Sequence, residues 1–166
     1  MIQASAFCRN GQFVHSRATV FDLTERKELE EKLRAQAMTD PLTGVFNRRY
    51  LQAQATTEIS RARRQNLPIA FIAIDIDHFK HINDTYGHDA GDDVLKNFTK
   101  IVTKLLRQED LLCRVGGEEF AILLPNTSLS QAEQVAERIR RTTAVTPINV
   151  TAEHAEQALW LTASLG

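Results

Sequence analysis

The spacing of apolar positions changes several times along the chain, and each spacing predicts a different element. Residues 68–76 form a continuous apolar run, which is typical of a central strand buried on both faces of a sheet. In residues 89–106 the apolar side chains recur three and four positions apart, which predicts a long helix. The short apolar stretches 111–115 and 120–124 flank a Gly-Gly pair and therefore predict two strands joined in a hairpin.

Further segments complete the pattern of the main domain. We expect a helix over 47–65, another helix from Ser130 onward and a last strand over 160–165, with residues 145–158 forming only a loop. The inward positions of the helix from Ser130 are Ala132, Val135, Ala136 and Ile139. After the first helix, the order strand, helix, strand, strand, helix, strand is that of the split βαβ arrangement, which is ferredoxin-like or palm-like. The sequence therefore predicts an α+β fold whose central mixed sheet is flanked by helices.

A separate segment precedes this domain. Residues 4–21 predict a β-hairpin, because Asn10-Gly11 is a strong turn signal. Asp22-Leu23-Thr24-Glu25 fits a helix capping box, and the charged stretch that follows carries Leu29 and Leu33 on one face. That helix is equally compatible with a solvated linker and with a short parallel coiled coil. We therefore divide the chain into a terminal hairpin (1–22), a linker helix (23–38) and the main domain (39–166).

Composition and charge narrow the classes of function. The chain has 166 residues, of which 43% are hydrophobic, so it can form a packed core. Its net charge of −1, from 20 basic and 21 acidic side chains, provides no broad attraction to nucleic acid or to an anionic membrane. No stretch approaches the roughly 20 apolar residues that span a bilayer. Cys8 and Cys113 lie too far apart for a metal or redox motif, and reduced thiols favour a cytoplasmic protein, although a longer parent could be membrane-anchored.

Two aspartates end the predicted central strand. Asp75 and Asp77 are spaced by two, so their side chains can leave the strand on the same face. Carboxylates at the end of a buried strand are costly unless they are solvated, paired or bound to a metal. The plainer interpretation is that one of them caps the following turn.

The predicted hairpin carries a second group of candidates. Gly116-Gly117 allows a sharp turn and the close approach of a large ligand, and Glu118 and Glu119 follow. An ordinary hairpin with solvated acids would have the same sequence. In a split βαβ fold, however, the central strand and the hairpin are neighbours, so that Asp75 and Glu118 can converge and then require a cation. Mg²⁺ prefers a few carboxylates together with water and substrate phosphates, which points to phosphoryl or nucleotidyl transfer.

Two further segments carry candidate binding residues. The polar, glycine-punctuated stretch 83–92 predicts a turn that leads into the long helix, where Asn83 and Asp92 could donate to and accept from a purine edge. Turn and cap chemistry explains the same residues, and Asp89 is a good helix cap. Arg107, at the end of the long helix, is favoured there by the helix dipole alone.

Taken together, these segments resemble the GGDEF family of diguanylate cyclases. The resemblance covers about residues 38–166 and rests on motifs that occur in the family's order: Asp40-Pro41-Leu42-Thr43-Gly44, Asn47-Arg48-Arg49, Asp75 to Lys80, Asn83 to Asp92, and Arg114-Val115-Gly116-Gly117-Glu118-Glu119-Phe120. It implies an enzyme that condenses two GTP molecules into cyclic di-GMP. The GGEEF form of the signature is, in this family, compatible with activity.

The resemblance implies roles at the metal and catalytic positions. Asp75, Glu118 and the backbone carbonyl of Ile76 would bind Mg²⁺ or Mn²⁺. Glu118 would also accept the proton of the attacking 3′-hydroxyl. Lys80 would stabilise the charge that develops on the phosphates, and Glu119 would support the metal site.

The resemblance also implies sites for substrate and product. Asn83 and Asp92 would read guanine, and Gly116-Gly117 would let the nucleotide approach the backbone. Arg107 and Asp110 match the RxxD inhibitory site of the family, where a dimer of the product would bind. The expected partners are therefore GTP and cyclic di-GMP, with neither nucleic acid nor a membrane bound by this chain.

The family mechanism implies a homodimer, because two facing domains each hold one GTP and proximity then controls activity.

The N-terminal hairpin and helix are similar to the end of a PAS sensor domain running into its signalling helix. The family pattern normally continues for a few tens of residues past Gly166, through a helix whose basic residues hold the triphosphate. We therefore expect a C-terminally truncated domain that, without that helix, binds GTP poorly and can be inactive by itself.

Three other functions are compatible with parts of this pattern. A non-catalytic receptor would bind cyclic di-GMP through Arg107 and Asp110, and a scaffold or sensor output module would bind no nucleotide. Another palm-like nucleotidyl transferase, such as an adenylate cyclase, would use similar acidic residues. The intact Asp75, Glu118 and Glu119 favour catalysis, and the family resemblance favours guanine.

Overall fold

The computed structural model describes residues 2–9, 12–20, 37–152 and 155–166. These residues fall into two compact units that divide after Ala37. In the first unit, strands β1 (Ile2–Arg9) and β2 (Gln12–Val20) pair antiparallel, so the two predicted hairpin strands are confirmed. The linker helix predicted over 23–38 lies, except for residues 37 and 38, outside the described part of the chain and stays a prediction.

The second unit contains the other described elements. They are β3 (Phe46–Asn47), α1 (Arg48–Gln65), β4 (Ile69–Ile76), α2 (Phe79–Tyr86), α3 (His88–Thr103), β5 (Leu111–Gly116), β6 (Glu119–Pro125), α4 (Leu129–Val145), β7 (Ile148–Ala152), β8 (Ala155–Leu159) and β9 (Ala163–Leu165). Helix α1 begins at Arg48, one residue after the predicted start, because the side chain of Asn47 caps it and accepts a hydrogen bond from Tyr50 N at 2.9 Å. Helix α4 begins one residue before Ser130, because Ser128 and Gln131 form a reciprocal capping box.

Five strands form the central sheet in the order β3-β5-β6-β4-β9. Strand β3 runs parallel to β5, and the other neighbouring pairs are antiparallel. Strand β6 lies between β4 and β5, which are connected through α2 and α3, so the sheet has the predicted split βαβ topology. The α+β fold with a mixed sheet flanked by helices is therefore confirmed.

Helices α2, α3 and α4 cover one face of this sheet and form the main core with it. Phe98 of α3 and Phe120 of β6 are among the largest fully buried side chains, and their ring centroids lie 5.2 Å apart. Among the described helices, none combines the length and the apolar character needed to cross a lipid bilayer.

Strand β4 is buried on one face only, so the prediction of burial on both faces is wrong. Ile72, Ile74 and Ile76 point into the main core. On the opposite face Phe71 and Ala73 are exposed, and Phe71 keeps 54% of its surface accessible. A continuous apolar run is therefore compatible with a strand that only one layer of helices covers.

Helix α1 covers the other half of that opposite face, over β5 and β6. Its Leu51 packs with Cys113, Ala121 and Leu123 in a second, smaller core. Burial raises the pKa of the Cys113 thiol to about 12, so the sulfur stays protonated and behaves as a small apolar group. Ile69, at the start of β4, also packs against this cluster, whereas Phe71 and Ala73 on the same face of β4 are exposed.

Residues 148–152 and 155–159 form the antiparallel strands β7 and β8, so the expectation of a loop over 145–158 is wrong. Ile148 and Val150 alternate along β7 and are buried against α3. The carboxylate of Asp93 on α3 accepts a hydrogen bond from Thr151 N at 3.2 Å. Asn97 of α3 also donates through Nδ2 to the Asn149 carbonyl oxygen at 3.1 Å, so β7 is fixed to α3 by apolar packing and by two hydrogen bonds that involve its backbone.

Other segments also differ from the sequence-based expectation. Residues 79–86 form helix α2, whereas the sequence predicted a turn from residue 83. The long helix ends at Thr103 instead of residue 106, and the last strand is limited to β9 instead of spanning 160–165. The last two differences occur at element ends, where local pattern is weakest, whereas α2 is a complete helix that the sequence did not predict.

We predict that Phe98→Ala destabilises the domain by about 3–5 kcal/mol, because it removes a fully buried ring from the main core. Urea unfolding followed by circular dichroism measures the change in free energy of unfolding. Phe71→Ala is the matched control, since the same side chain is removed from the exposed face of β4. Equal losses for the two variants would contradict this account of the core.

Candidate active site

Acidic side chains from two neighbouring strands meet at the end of β4. Asp75 lies directly opposite Glu119, the first residue of β6. Directly opposed residues of an antiparallel pair project to the same face, with Cβ atoms about 4.5–5.5 Å apart. Glu118 precedes Glu119 in the turn, and its carbonyl oxygen accepts a hydrogen bond from Ile76 N at 3.4 Å. The register of the sheet thus brings the sequence-predicted residues Asp75, Ile76, Glu118 and Glu119 together.

This arrangement is electrostatically unfavourable without a cation. Burial, and then the charges of Glu118, Glu119 and Asp77, raise the pKa of Asp75 above its usual value. The described residues contain no group of three or more His, Cys, Asp or Glu side chains that would hold a metal by themselves. Mg²⁺ commonly binds through one or two carboxylates and completes its shell with water and phosphate oxygens. The donors present therefore fit a hard divalent cation whose coordination a phosphate ligand completes.

Asp77 has a different environment from Asp75. Its two carboxylate oxygens accept hydrogen bonds from the hydroxyls of Thr162 and Ser164, each at 2.6 Å. The bonds from Ser164 and Thr162 outweigh burial and hold the pKa of Asp77 below its usual value. Asp77 does not cap the following helix, as the plainer interpretation proposed, since His78 is the N-cap residue. Sequence analysis missed this contact, although two hydroxyl residues at alternate strand positions were an available signal.

The chain turns sharply between β4 and α2. His78 adopts a left-handed conformation (φ 58°), which is uncommon for a residue with a side chain. The turn buries Phe79 in the main core and leaves Lys80 exposed in the first turn of α2. Lys80 is therefore accessible to a ligand that lies against the start of this helix.

The two predicted base-reading residues lie on adjacent helices. Asn83 is on α2, Asp92 is on α3, and both side chains are half-buried. Helix α3 approaches α2 closely because residue 91 has no side chain. A methyl group at Gly91 would overlap Oδ1 of Asn83. Helix α3 is capped by Gly87, so Asp89 lies in the first turn and is not the cap. The turn expected here is thus a helix–helix contact that places Asn83 beside Asp92.

The Gly-Gly turn between β5 and β6 is held by an arginine. Gly116 pairs with Glu119 across the hairpin, and Gly117 has a positive φ of 45°. Arg114 donates through Nε to the Gly117 carbonyl oxygen at 2.9 Å and through Nη1 to Asp40 Oδ1 at 3.1 Å. Sequence analysis assigned no role to Arg114 or Asp40, although both lie in the motifs that carry the resemblance.

Asp40 accepts hydrogen bonds from two residues. Thr43 donates from its backbone nitrogen at 2.9 Å and from its hydroxyl at 2.6 Å, and Arg114 donates at 3.1 Å. Burial alone would raise the pKa of Asp40, but the bonds from Thr43 and Arg114 and the charge of Arg114 outweigh it, so the pKa lies below 3.8. The ionised carboxylate is therefore the form that joins the start of the domain to the Gly-Gly turn.

The predicted inhibitory residues lie away from this site. Asp110 Oδ2 accepts a hydrogen bond from Arg107 N at 2.8 Å, so the two residues share one turn. The Arg107 side chain is exposed and lines a groove of about 280 Å³ together with Arg61 and Ile69. Because Ile69 begins β4 and Asp75 lies near its end, the groove and the acidic cluster are at opposite ends of that strand.

Comparison with known proteins shows which family this chain is similar to. The family model described as "Diguanylate cyclase, GGDEF domain" matches residues 37–166. The chain is 43% identical over 141 residues to the response regulator PleD of Caulobacter vibrioides, which covers 85% of this chain and 30% of that protein. It is 46% identical over 123 residues to the diguanylate cyclase DgcP of Pseudomonas aeruginosa, which covers 74% of this chain and 18% of that protein. The chain thus spans less than a third of either relative.

A solved structure has the same fold. The coiled coil and GGDEF domain of DgcB from Caulobacter crescentus, in complex with c-di-GMP, superposes with a TM-score of 0.79 at 27% sequence identity. The match covers 87% of this chain and 75% of that one.

We predict that Asp40→Asn lowers the free energy of unfolding at pH 7 by about 1–3 kcal/mol, because it weakens hydrogen bonds to a charged acceptor. Since the folded-state pKa of Asp40 lies below 3.8, its stabilisation is complete above that pH and is lost as the pH falls through the folded-state value. The difference from the wild type should therefore shrink below pH 3.8 in urea unfolding curves. Asp84→Asn, an exposed aspartate of α2, gives the background effect of removing one charge, and a difference that does not depend on pH would contradict the prediction.

Proposed function

This chain belongs to the GGDEF-domain family of diguanylate cyclases, and from that premise we propose that it joins two GTP molecules into cyclic di-GMP. The observation that carries the proposal is the convergence of Asp75, Glu118 and Glu119 beside the Gly-Gly turn. The chain spans 30% of the length of PleD. The cyclase activity of the whole protein is therefore likewise proposed.

The proposed reaction forms two phosphodiester bonds. The 3′-oxygen of one GTP attacks the α-phosphorus of the other, the bond from that phosphorus to the β-phosphate oxygen breaks, and pyrophosphate leaves. The same step in the opposite direction closes the ring. Glu118 accepts the proton of the attacking 3′-hydroxyl, which its half-buried position directly after the exposed Gly-Gly pair allows.

A divalent cation, Mg²⁺ or Mn²⁺, would be held by Asp75, Glu118 and the carbonyl of Ile76, where it would neutralise phosphate charge and polarise the α-phosphate. Glu119 lies opposite Asp75 and adds negative charge that favours the bound cation. Lys80, exposed at the start of α2, contributes positive charge toward the phosphates that leave.

Guanine is recognised between α2 and α3. Asp92 accepts hydrogen bonds from the N1-H and 2-amino groups, and Asn83 donates to a ring acceptor. Their placement depends on Gly91, which lets α3 approach the Asn83 side chain. Gly116 and Gly117 carry no side chains and leave the backbone of the turn open to the nucleotide.

The reaction requires two copies of the domain. One copy provides a single set of the residues described above and holds one GTP, so two copies must face each other to bring a 3′-hydroxyl to an α-phosphate. The linker helix predicted over 23–38 would set the geometry of such a homodimer. The hairpin before it would then belong to a PAS-like sensor domain that controls the dimer.

Cyclic di-GMP would also act as an inhibitor. The exposed Arg107 offers its guanidinium to a product phosphate, and Asp110 offers a carboxylate to guanine nitrogens. The separation of this groove from the acidic cluster also favours a second candidate function, a receptor that binds cyclic di-GMP without making it.

We predict that Glu118→Gln lowers the rate of cyclic di-GMP formation by about 10²-fold or more, because it removes both a proton acceptor and a carboxylate for the metal. The complete protein is incubated with GTP and Mg²⁺, and the products are separated by chromatography. Glu133→Gln on α4 is the matched control, since it alters an exposed glutamate away from the site.

The wild-type protein distinguishes the two candidate functions. Absence of product at high protein concentration, with cyclic di-GMP binding that Arg107→Ala abolishes, would exclude the enzyme and favour the receptor. Absence of both product and binding would leave a module without nucleotide chemistry.

We predict that Gly91→Ala raises the KM for GTP about ten-fold or more, because the added methyl group displaces Asn83 and small misplacements of binding groups are costly. Alanine is favoured over glycine in a helix interior, so weakened helix propensity cannot explain a loss. Steady-state kinetics on Gly91→Ala, Asn83→Ala and the double variant test the mechanism. The double variant should be no worse than Asn83→Ala, and fully additive effects would contradict the prediction.

A further inference from the structure

The two aspartates at the end of β4 differ in the hydrogen bonds that their carboxylates accept. Both oxygens of Asp77 accept a hydroxyl hydrogen bond, from Thr162 and Ser164, each at 2.6 Å. The backbone nitrogen of Asp77 also donates to the Thr162 carbonyl oxygen at 3.0 Å. We refer to Asp77, Thr162 and Ser164 as the Asp77–hydroxyl cluster. It attaches β9 and the residues before it to the point where β4 ends.

Ser164 shows how the cluster separates the two aspartates. In the register of β4 and β9, Ser164 lies directly opposite Asp75, yet its hydroxyl donates to Asp77. A serine hydroxyl has a single hydrogen, so this bond prevents Ser164 from donating to Asp75. In the described part of the chain, no side chain donates a hydrogen bond to the carboxylate of Asp75. The cluster thus leaves Asp75 available to an external ligand.

The cluster also fixes the turn that follows. Asp77 precedes His78, whose left-handed backbone (φ 58°) is costly for a residue with a side chain and persists where its surroundings determine it. The helix after this turn carries Lys80 in its first turn. A change in the direction of the chain at Asp77 would therefore move Lys80 relative to Asp75.

We propose that Asp77 is a positioning residue of the cyclase site: bound by the hydroxyls of Thr162 and Ser164, it holds Asp75, the Ile76 carbonyl and Lys80 in the arrangement that receives the metal and the substrate phosphates. This inference rests on the proposed function. Each oxygen of Asp77 already accepts one hydroxyl hydrogen bond, which holds the carboxylate toward Thr162 and Ser164, so Asp77 acts through its neighbours and not as a ligand of the metal. The hydroxyls of Thr162 and Ser164 belong to the same device and should have the same importance as the carboxylate.

The test compares variants of the complete protein that break the cluster from either side. Asp77→Asn weakens the acceptor, and the pair Thr162→Val with Ser164→Ala removes the donors. We expect each to raise the half-saturating Mg²⁺ concentration and to lower kcat by about ten-fold, in the range found when partners that orient metal ligands are removed. The triple variant should be no worse than Asp77→Asn, since all three changes act through one carboxylate.

Asp93→Asn is the matched control, because Asp93 also accepts a hydrogen bond from a distant segment but joins α3 to β7. It should alter the melting temperature without altering the Mg²⁺ dependence. If Asp77→Asn behaves like Asp93→Asn, the inference is wrong. If Asp77→Asn is inactive while the variant without the two hydroxyls is fully active, Asp77 is a metal ligand, and the inference is also wrong.

Two further measurements keep the test decisive. Should Asp77→Asn fail to fold by circular dichroism, Ser164→Ala alone takes its place, because it leaves the bond from Thr162 intact. Should the wild type form no cyclic di-GMP, the proposed function fails, and binding of Mn²⁺ with GTP is followed by electron paramagnetic resonance. Weaker Mn²⁺ binding in both cluster variants then supports the inference, and unchanged binding in both overturns it.

Discussion

The antiparallel pairing of β4 with β6 is the constraint on which the rest of the domain depends. The register runs from Ile69 opposite Pro125 to Asp75 opposite Glu119, and it turns the isoleucines of β4 toward the main core. A slip by one residue would move every one of these side chains to the other face. Burying each isoleucine is worth about 1.5–3 kcal/mol. Two like charges in water at contact distance repel by only about 1 kcal/mol. The burial of the isoleucines therefore determines the register, and its free energy outweighs the repulsion within the acidic cluster that this register creates.

Three aspartates of the domain differ because the number of donors around them differs. Asp40 and Asp77 each accept several hydrogen bonds, which favour the ionised form, and both serve to join separate segments. Asp75 has acidic neighbours in place of donors, so its pKa is raised and a bound cation would stabilise its ionised form. Aspartate thus links separate segments of the chain at positions 40 and 77 and is a candidate metal ligand at position 75.

Much of the fold and the acidic cluster could be predicted from the sequence, because both follow from local pattern and topology. The periodic stretch of α3 and the Gly-Gly hairpin specify their elements directly, and the split βαβ order then makes Asp75 and the hairpin neighbours. The clusters around Asp77 and Arg114 were missed because their partners, Thr162 and Asp40, lie more than 70 residues away. Helix α2 was missed because two turns give too short a period to distinguish from polar loop. The open face of β4 was missed because a hydrophobic run indicates burial without counting the layers that provide it.

The buried thiol between α1 and the sheet has a practical consequence. Only the thiolate reacts readily with alkylating reagents, and a pKa of about 12 leaves almost none of it while Cys113 is packed with Leu51 and Ala121. Modification then requires that α1 separate from β5 and β6, which exposes the sulfur and restores its ordinary acidity. With Cys8 replaced by serine, the labelling rate of this single sulfur would report how often α1 opens. Cys113 is therefore an intrinsic probe of the local stability of α1.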